Sequence, residues 1–304
     1  MVAYWVIRVA ALLSRVLPLG LRYALGVGAC ELAYLAWPSK RRNTIRNAQV
    51  VLAGQPQLAR RVARASWRNY GRYMVDFLRI PVISREQIRA CCTVADWSPL
   101  DAAMAQGQGT LLVTAHYGCW DLASGLLDDR YPGRLYIAAE SFSPPKLNDL
   151  IQLQRAATGG QVIPAEKGVR QMMRVLRANN IMALAMDRPV HGAEQGVEVV
   201  FFGQRTMVPA GAATLALLTG APIVPCYLRR VGHRYEGRMD QPIPAVSTGD
   251  RAADVQRLTQ QAMNAMERMV RERPAQWYMF RQFWPDSAHE SATLSRRHGQ
   301  GVSA

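Results

Sequence analysis

Apolar and polar positions alternate through the middle of the chain in the way that is typical of α/β proteins. Short apolar runs predict buried strands, and longer stretches with apolar residues three and four apart predict helices. The predicted strands cover residues 110–115, 135–140, 160–164, 181–187, 197–202 and 223–229, and the predicted helices cover 121–127, 145–158, 168–178, 210–218 and 250–272. We therefore expect a single α/β domain with a central, mostly parallel or mixed sheet flanked by helices.

The first 40 residues follow a different pattern, in which basic residues interrupt an apolar stretch. Arg8, Arg15 and Arg22 lie seven residues apart and form one narrow stripe on a helix. This pattern is typical of a helix that lies in a membrane interface, and Pro18 is expected to kink or divide it. The charges leave no window of the roughly 18 apolar residues that a membrane span needs. Packing of this helix on the body of the protein is the alternative.

Positive charge is concentrated at the start of the chain. Residues 1–90 hold 15 Lys and Arg against three acidic residues, and the whole chain has a net charge of +15. The helical spacing of Arg61, Arg64, Arg68 and Arg72 adds a basic face that fits anionic headgroups or phosphates, with a solvated surface as the alternative. We expect residues 1–90 to form a helical membrane-associating part, 91–285 the α/β core and 286–304 a flexible tail.

Composition narrows the class of protein. With 304 residues, of which 49% are hydrophobic and 19% charged, the chain is too apolar to be disordered. Its five cysteines are an odd number without metal-ligand spacing, which argues against a complete disulfide framework. We expect no metal and no redox cofactor.

The candidate chemistry follows the strand predicted at 110–115. Gly118 permits a sharp turn there, so His116 and Asp121 fall where the strand passes into a helix. Active sites of α/β folds lie at such positions, and a histidine oriented by a carboxylate is a general base. Taken alone, this spacing is equally consistent with a structural histidine.

Further motifs follow in a fixed order. They are Asp187-Arg188, Gly196-Val-Glu-Val-Val-Phe-Phe-Gly203, Val208-Pro-Ala-Gly-Ala-Ala-Thr-Leu-Ala-Leu217 and Gly220-Ala-Pro-Ile-Val-Pro225, between Lys40-Arg-Arg-Asn43 and Phe280-Arg-Gln-Phe283. With these motifs the chain resembles the lysophospholipid acyltransferase superfamily. It resembles more closely the bacterial branch of lipid A biosynthesis acyltransferases and phosphatidylinositol mannoside acyltransferases, and the block around Glu198 best fits the mannoside enzymes.

The resemblance implies transfer of a fatty acyl group from acyl-coenzyme A or acyl carrier protein to a hydroxyl of a glycolipid or lysolipid. By that match His116 is the general base, and Asp121 or Glu198 is its carboxylate partner. The remaining residues that the match places in the substrate-binding groove, or in its support, are Glu140, Arg155, Asp187 and Arg188.

The resemblance also implies a location and a set of partners. We expect a peripheral or monotopic enzyme on the cytoplasmic face of the bacterial inner membrane. Its partners would be the thioester donor, the lipid acceptor and an anionic membrane surface, with no nucleic acid; the sequence does not indicate an oligomeric state. One alternative is a lysophospholipid or lipid A precursor acceptor with acyl carrier protein as donor. A non-enzymatic basic membrane or nucleic-acid binder is the alternative from another class, and it leaves the ordered motifs unexplained.

Two other segments carry expectations. Pro209 and Gly211 are expected to open a helix whose free amide groups hold a thioester oxygen or a phosphate, with helix packing as the alternative. The aromatic-rich residues 277–284 are predicted to form either a strand or a segment at the edge of the membrane.

Overall fold

The strands of this protein form one large sheet and one separate hairpin. The structure is a computed structural model, and it describes residues 4–5, 8–9, 11–12, 16–165, 168–190 and 196–284. The strands of the sheet are β1 (Cys92–Val94), β2 (Thr110–Thr114), β3 (Leu135–Ala139), β4 (Gln161–Pro164), β5 (Ile181–Ala185), β8 (Ile223–Val231) and β9 (Arg234–Met239). The hairpin consists of β6 (Gly196–Phe201) and β7 (Gln204–Pro209).

Helices precede the sheet and connect its strands. They are α1 (Leu19–Ala36), α2 (Pro38–Val51), α3 (Pro56–Arg79), α4 (Arg85–Cys91), α5 (Ser98–Ala105), α6 (Trp120–Arg130), α7 (Pro145–Ala156), α8 (Val169–Arg177), α9 (Gly211–Thr219) and α10 (Arg251–Glu272). Within the described parts of the chain, no helix combines the length and the apolar character that crossing a bilayer requires.

The sheet has the strand order β1-β9-β8-β2-β5-β3-β4. Strands β8, β2, β5, β3 and β4 run parallel to one another, whereas β9 is antiparallel to β8 and carries β1 beside it. The predicted α/β class with a mostly parallel central sheet is confirmed. The prediction missed β1, β7 and β9, because one is three residues long and the others are rich in polar residues.

Helices cover both faces of the sheet, as the near-continuous apolar strands require. Leu111 and Val113 of β2 belong to a large core that also contains buried residues of α8, α9 and α10. Leu112, between them, points to the opposite face and packs with Leu100 and Leu127 of the α5 and α6 layer. The alternation along β2 therefore places two apolar side chains in one core and one in the other.

The proline at position 18 divides the N-terminal helical pattern, as predicted, because α1 begins at the residue that follows it. The described residues between 4 and 16 are helical as well, Leu17 is in a bend, and Arg15 lies outside the described residues. One face of α1 packs closely on α3, since a Cβ on Gly71 would overlap the carbonyl oxygen of Gly26. The Tyr23 hydroxyl donates to Asp76 Oδ1 at 2.6 Å and secures the same contact.

Part of the basic face predicted on α3 forms ion pairs with an acidic residue of the same chain. Arg64 and Arg68 both pair with Glu31 of α1, at 2.8 and 3.4 Å. The opposite face of α1 presents exposed leucines at positions 21, 25, 32 and 35. Helix α1 therefore packs on the body of the protein through one face and leaves an apolar face uncovered.

The aromatic segment at 277–284 is not a strand, so the strand alternative is wrong, and most of the segment lies in the core. Apart from one bridge between Tyr117 and Trp277, the segment has no strand pairing. Trp277, Phe283 and Trp284 are buried in the main core, and Tyr278 N–H donates to the carbonyl of His116 at 2.9 Å. The predicted tail, residues 286–304, lies outside the described residues.

The turn between β2 and α6 gives the first testable prediction. Gly118 has φ +64°, and a Cβ there would overlap the carbonyl oxygen of Leu228. Gly118→Ala should lower the free energy of unfolding by about 3 kcal/mol, through left-handed strain plus displacement of backbone. Gly107→Ala is the matched control, because Gly107 has φ +75° and open space around it. Equal losses in the two variants, measured by urea denaturation, would contradict a role for the close contact.

Candidate active site

His116 and Asp187 meet because they occupy equivalent positions after two neighbouring parallel strands. Thr114 at the end of β2 is in register with Ala185 at the end of β5, and each functional residue comes two positions later. His116 Nδ1 lies 2.6 Å from Asp187 Oδ1, and the backbone N–H of His116 donates to Asp187 Oδ2 at 2.8 Å. The carboxylate thus holds both the ring and the backbone of the histidine.

Trp277 completes the surroundings of this carboxylate. Its indole Nε1–H donates to Asp187 Oδ2 at 2.9 Å, and only 1% of the Asp187 side chain is exposed. Burial raises the pKa of Asp187, but the neighbouring His116 ring and the hydrogen bonds from His116 and Trp277 lower it, and the net pKa lies below the usual range. An ionised Asp187 favours the proton on Nδ1 and leaves His116 Nε2 to accept one.

Asp121 does not contact His116 and has other partners. Its Oδ1 accepts from Arg155 Nε at 3.1 Å, and its Oδ2 accepts from the Tyr73 hydroxyl at 2.5 Å. Asp121 lies in the first turn of α6, beyond the Gly118 turn, where its carboxylate faces α3 and α7. The expectation that it would hold His116 is wrong in this structure.

Glu198 is also not the partner of His116. It lies on the β6–β7 hairpin with 56% of its side chain exposed, and it pairs with Arg205 Nη1 at 3.0 Å. It lies on the same exposed strand face as Val200. The expectation that Glu198 would hold His116 is therefore wrong in this structure, because its carboxylate pairs with an arginine on the neighbouring strand.

His116 borders a cavity of about 850 Å³. The charged side chains that line it include Asp121, Glu140, Arg155 and Arg188. Arg188 Nε and Glu140 Oε1 form an ion pair at 3.0 Å. Glu140, Arg155 and Arg188, which the resemblance assigns to the substrate-binding groove, all line this cavity, whereas Asp187 lies behind His116 and does not border it.

The rest of the cavity is mainly apolar. The wall contains Leu112, Ile137, Ala183, Leu126, Leu127 and Leu215, which come from the sheet and from α6 and α9. Trp120 borders it as well, with its ring stacked on Tyr73 at 4.2 Å and in edge contact with His116 at 5.3 Å. A long apolar ligand that ends at His116 fits such a wall.

The amino end of α9 borders the same cavity through Pro209, Ala210 and Gly211, so the predicted helix opening near the site is confirmed.

Cys119 is fully buried, which raises the pKa of its thiol well above the usual value, so this cysteine is not an activated nucleophile. Over the described ranges, no group of three or more His, Cys, Asp or Glu is arranged to hold a metal ion.

Sequence reasoning missed the roles of Tyr73 and Trp277 in these contacts. Tyr73 lies on the helix that carries the predicted basic face, where the spacing of the arginines says nothing about a carboxylate partner, and burial raises its pKa well above the usual value. Trp277 belongs to a segment that is visibly rich in aromatic residues. Nothing in that pattern indicates that its indole donates to a carboxylate 90 positions earlier.

Comparison with known proteins identifies the family. The model of the bacterial lipid A biosynthesis acyltransferase family matches residues 1–285. The chain belongs to this acyltransferase family. The acyltransferase is 30% identical over 301 residues to the phosphatidylinositol mannoside acyltransferase of Mycobacterium tuberculosis strain H37Rv, covering 96% of this chain and 92% of that protein. The expected family and the expected enzyme class are confirmed.

Two further similarities are to a second phosphatidylinositol mannoside acyltransferase and to a solved structure. The phosphatidylinositol mannoside acyltransferase of Mycolicibacterium smegmatis is 29% identical to this acyltransferase over 263 residues, covering 85% of this chain and 83% of that protein. The crystal structure of the 1-acyl-sn-glycerophosphate (LPA) acyltransferase PlsC from Thermotoga maritima aligns with a TM-score of 0.38 and 11% identity, over 83% of this chain and 98% of that one.

The lowered pKa of Asp187 predicts a pH dependence of stability. Because the folded-state pKa lies below the unfolded value of about 3.9, the ionised carboxylate stabilises the fold above roughly pH 4, and this contribution is lost as the pH falls through the folded pKa. The free energy of unfolding of the wild type should therefore fall more steeply with acidification than that of Asp187→Asn. Urea denaturation in steps from neutral to acidic pH tests this expectation. Parallel curves for the two proteins would show that Asp187 does not titrate below its unfolded value.

Proposed function

We propose that this acyltransferase moves a fatty acyl group from an acyl-coenzyme A or acyl carrier protein thioester to a hydroxyl of a glycolipid, with His116 as general base. The observation that carries the proposal is the hydrogen-bonded pair of His116 and buried Asp187, with His116 in the wall of a large, mainly apolar cavity. The named relatives favour a phosphatidylinositol mannoside as acceptor. A lipid A precursor or a lysophospholipid is the alternative acceptor within the same chemistry.

The reaction begins with a proton transfer. His116 Nε2 takes the proton from the acceptor hydroxyl as its oxygen attacks the thioester carbonyl carbon, and Asp187 stabilises the imidazolium that forms. The tetrahedral intermediate collapses with cleavage of the carbon–sulfur bond. The thiolate leaves and takes the proton back from His116, so the products are an ester and a free thiol.

Positive groups at the cavity are available for the oxyanion of the intermediate. Arg155 borders the cavity and is fixed by Asp121, with only 14% of its side chain exposed. The free amide groups at the start of α9 are the second candidate. In this proposal Asp121 is a positioning residue, because it acts on the reaction through Arg155.

The apolar cavity is assigned to the acyl chain. A buried methylene group contributes about 0.8 kcal/mol, so a long chain held against Leu112, Ile137 and Leu126 would provide most of the donor's binding energy. His116 lines the same cavity, so a chain bound there would bring the thioester carbonyl within reach of the base.

The uncovered face of α1 is proposed to dock on the membrane that contains the acceptor. Leu32 and Leu35 are 68% and 59% exposed, and Trp37 follows them with a similar exposure. A helix of this kind lies in the interface with its apolar face among the lipid chains. Because acyl-coenzyme A and acyl carrier protein are cytoplasmic donors, the cytoplasmic face of the inner membrane is the proposed location.

Substitutions at the pair test the chemistry. His116→Ala and Asp187→Asn should each lower turnover by about a hundredfold or more, as is usual for a general base and its orienting group. Glu198→Gln should stay within about threefold of the wild type, since a surface ion pair contributes little. The assay supplies palmitoyl-coenzyme A with each of the three acceptor classes and measures thiol release and acylated product by mass spectrometry.

Two outcomes of that assay would contradict the proposal. His116→Ala with more than about a hundredth of wild-type turnover would exclude the general-base role. A larger loss in Glu198→Gln than in Asp187→Asn would mean that the carboxylate on the hairpin acts on the reaction. Circular dichroism of each variant establishes that the fold is retained.

Membrane docking is tested separately with vesicles. Leu32→Ser combined with Leu35→Ser should weaken binding to phospholipid vesicles by at least about tenfold, because two apolar side chains no longer enter the lipid. The matched control is Leu218→Ser with Val246→Ser, two exposed apolar residues on other elements. Equal binding of the two double variants in a sedimentation assay would exclude docking through α1.

A further inference from the structure

A second cavity, which we call the arginine cavity, lies where the end of α1 meets α2 and the start of α3. Its volume is about 480 Å³. The polar side chains that line it are Tyr34, Arg41, Arg42, Arg46, Gln49 and Arg60. It shares no lining residue with the cavity at His116.

Arginines dominate the described lining of the arginine cavity. Its described lining contains four arginines and no Asp or Glu. Across the described ranges, neither Arg42 nor Arg60 forms an ion pair with an acidic side chain, although other surface arginines such as Arg64 and Arg268 do. Arg42 and Arg60 bring charges of the same sign to this cavity, so a bound anion would reduce the repulsion between them.

The arrangement of the arginines suits a phosphate. Arg42, Arg46 and Gln49 follow helical spacing on α2, so they face the cavity from one side, and Arg60 faces it from α3. Arg41 Nη1 is directed to the last turn of α1, where it donates to the carbonyls of Tyr34 and Leu35 at 3.4 and 3.3 Å. Planar guanidinium groups bind phosphate oxygens with paired, charge-assisted hydrogen bonds.

The position of the arginine cavity indicates which phosphate it meets. Tyr34 turns inward, with its ring in edge contact with Trp67 at 6.0 Å, whereas its neighbours Leu32 and Leu35 stay on the uncovered face of α1. The cavity therefore lies at the end of the apolar face. When a helix lies in a membrane interface, lipid phosphates surround the polar boundary of its apolar face.

We propose that the arginine cavity binds the phosphodiester headgroup of an anionic phospholipid when α1 docks on the membrane. This inference rests on the proposed docking through α1 and adds a specific lipid site to it. The headgroup would be held by Arg42 and Arg60 from two helices, with Gln49 as a neutral donor. Binding of the headgroup is then distinct from the general attraction of a basic protein to a negative surface.

The test compares two double variants with the same net charge. Arg42→Gln with Arg60→Gln removes two arginines of the cavity, and Arg174→Gln with Arg177→Gln removes two exposed arginines of α8. With vesicles of phosphatidylcholine and phosphatidylglycerol in equal amounts, the cavity variant should bind roughly thirtyfold more weakly than the wild type, since each basic residue near the surface contributes about 1 kcal/mol. The α8 variant should lose no more than a few-fold, and vesicles of phosphatidylcholine alone should not distinguish the proteins.

Further measurements separate the sources of phosphate. The cavity variant should keep wild-type affinity for coenzyme A and for acyl carrier protein, and wild-type turnover with acceptor dissolved in detergent. Weaker binding of either donor, with vesicle binding unchanged, would overturn the proposal and assign the cavity to the donor. Equal loss of vesicle binding in both double variants would also overturn it, because net charge alone would then explain the effect.

Failure of the lipid site can be distinguished from failure of the proposed function. A wild type that binds vesicles while the cavity and α8 variants behave alike excludes only the headgroup site. A wild type that does not bind vesicles excludes docking through α1 together with the site. Absence of acyl transfer in detergent, with vesicle binding as predicted, would reject the proposed reaction and leave the lipid site in place.

Discussion

The parallel pairing of β2 with β5 is the constraint on which the candidate active site depends. The register aligns Thr114 with Ala185, so the two chains leave the sheet at the same edge. His116 and Asp187 each come two residues after these aligned positions, so the strand pairing alone brings them into contact. Burial of Asp187 then requires compensation, which comes from a third hydrogen bond, donated by Trp277. A shift of one residue in this register would separate the pair.

The sequence predicted the histidine correctly as a residue at a strand end, but it did not reveal its partner. Asp121 is close to His116 along the chain, yet a turn and a helix start lie between them, and these direct its carboxylate to Arg155 and Tyr73. The true contact crosses from one strand to its neighbour. An apolar run predicts that a strand is buried but not which strand lies beside it, so the pairing of β2 with β5 could not be derived from the pattern. The motif around Asp187 was visible, whereas its contact with His116 was not.

The same limit explains the other differences. Alternation correctly placed Glu198 and Val200 on one face of a strand, but it could not indicate that β6 pairs with β7 away from the main sheet and exposes that face. Strand β9 was missed because Arg234, Glu236 and Arg238 interrupt any apolar pattern. The division of the N-terminal helical pattern at Pro18 was predictable because it is a local effect. The proline ring lacks a backbone N–H and fixes φ, and tertiary contacts do not change either property.

The contacts of Trp277 and Tyr278 have a consequence for the order in which the protein is made. The strand end at His116 and the carboxylate at 187 are synthesised early, yet the indole that bonds Asp187 and the amide that bonds the His116 carbonyl are added about 90 residues after Asp187. A nascent chain that has reached α10 already carries α1 and the whole sheet, but the acid behind its histidine lacks the indole donor. The helix that we propose to dock on the membrane is therefore made well before the proposed acid–base pair is complete. Under this proposal, the growing chain could reach the bilayer before it is able to act on lipids.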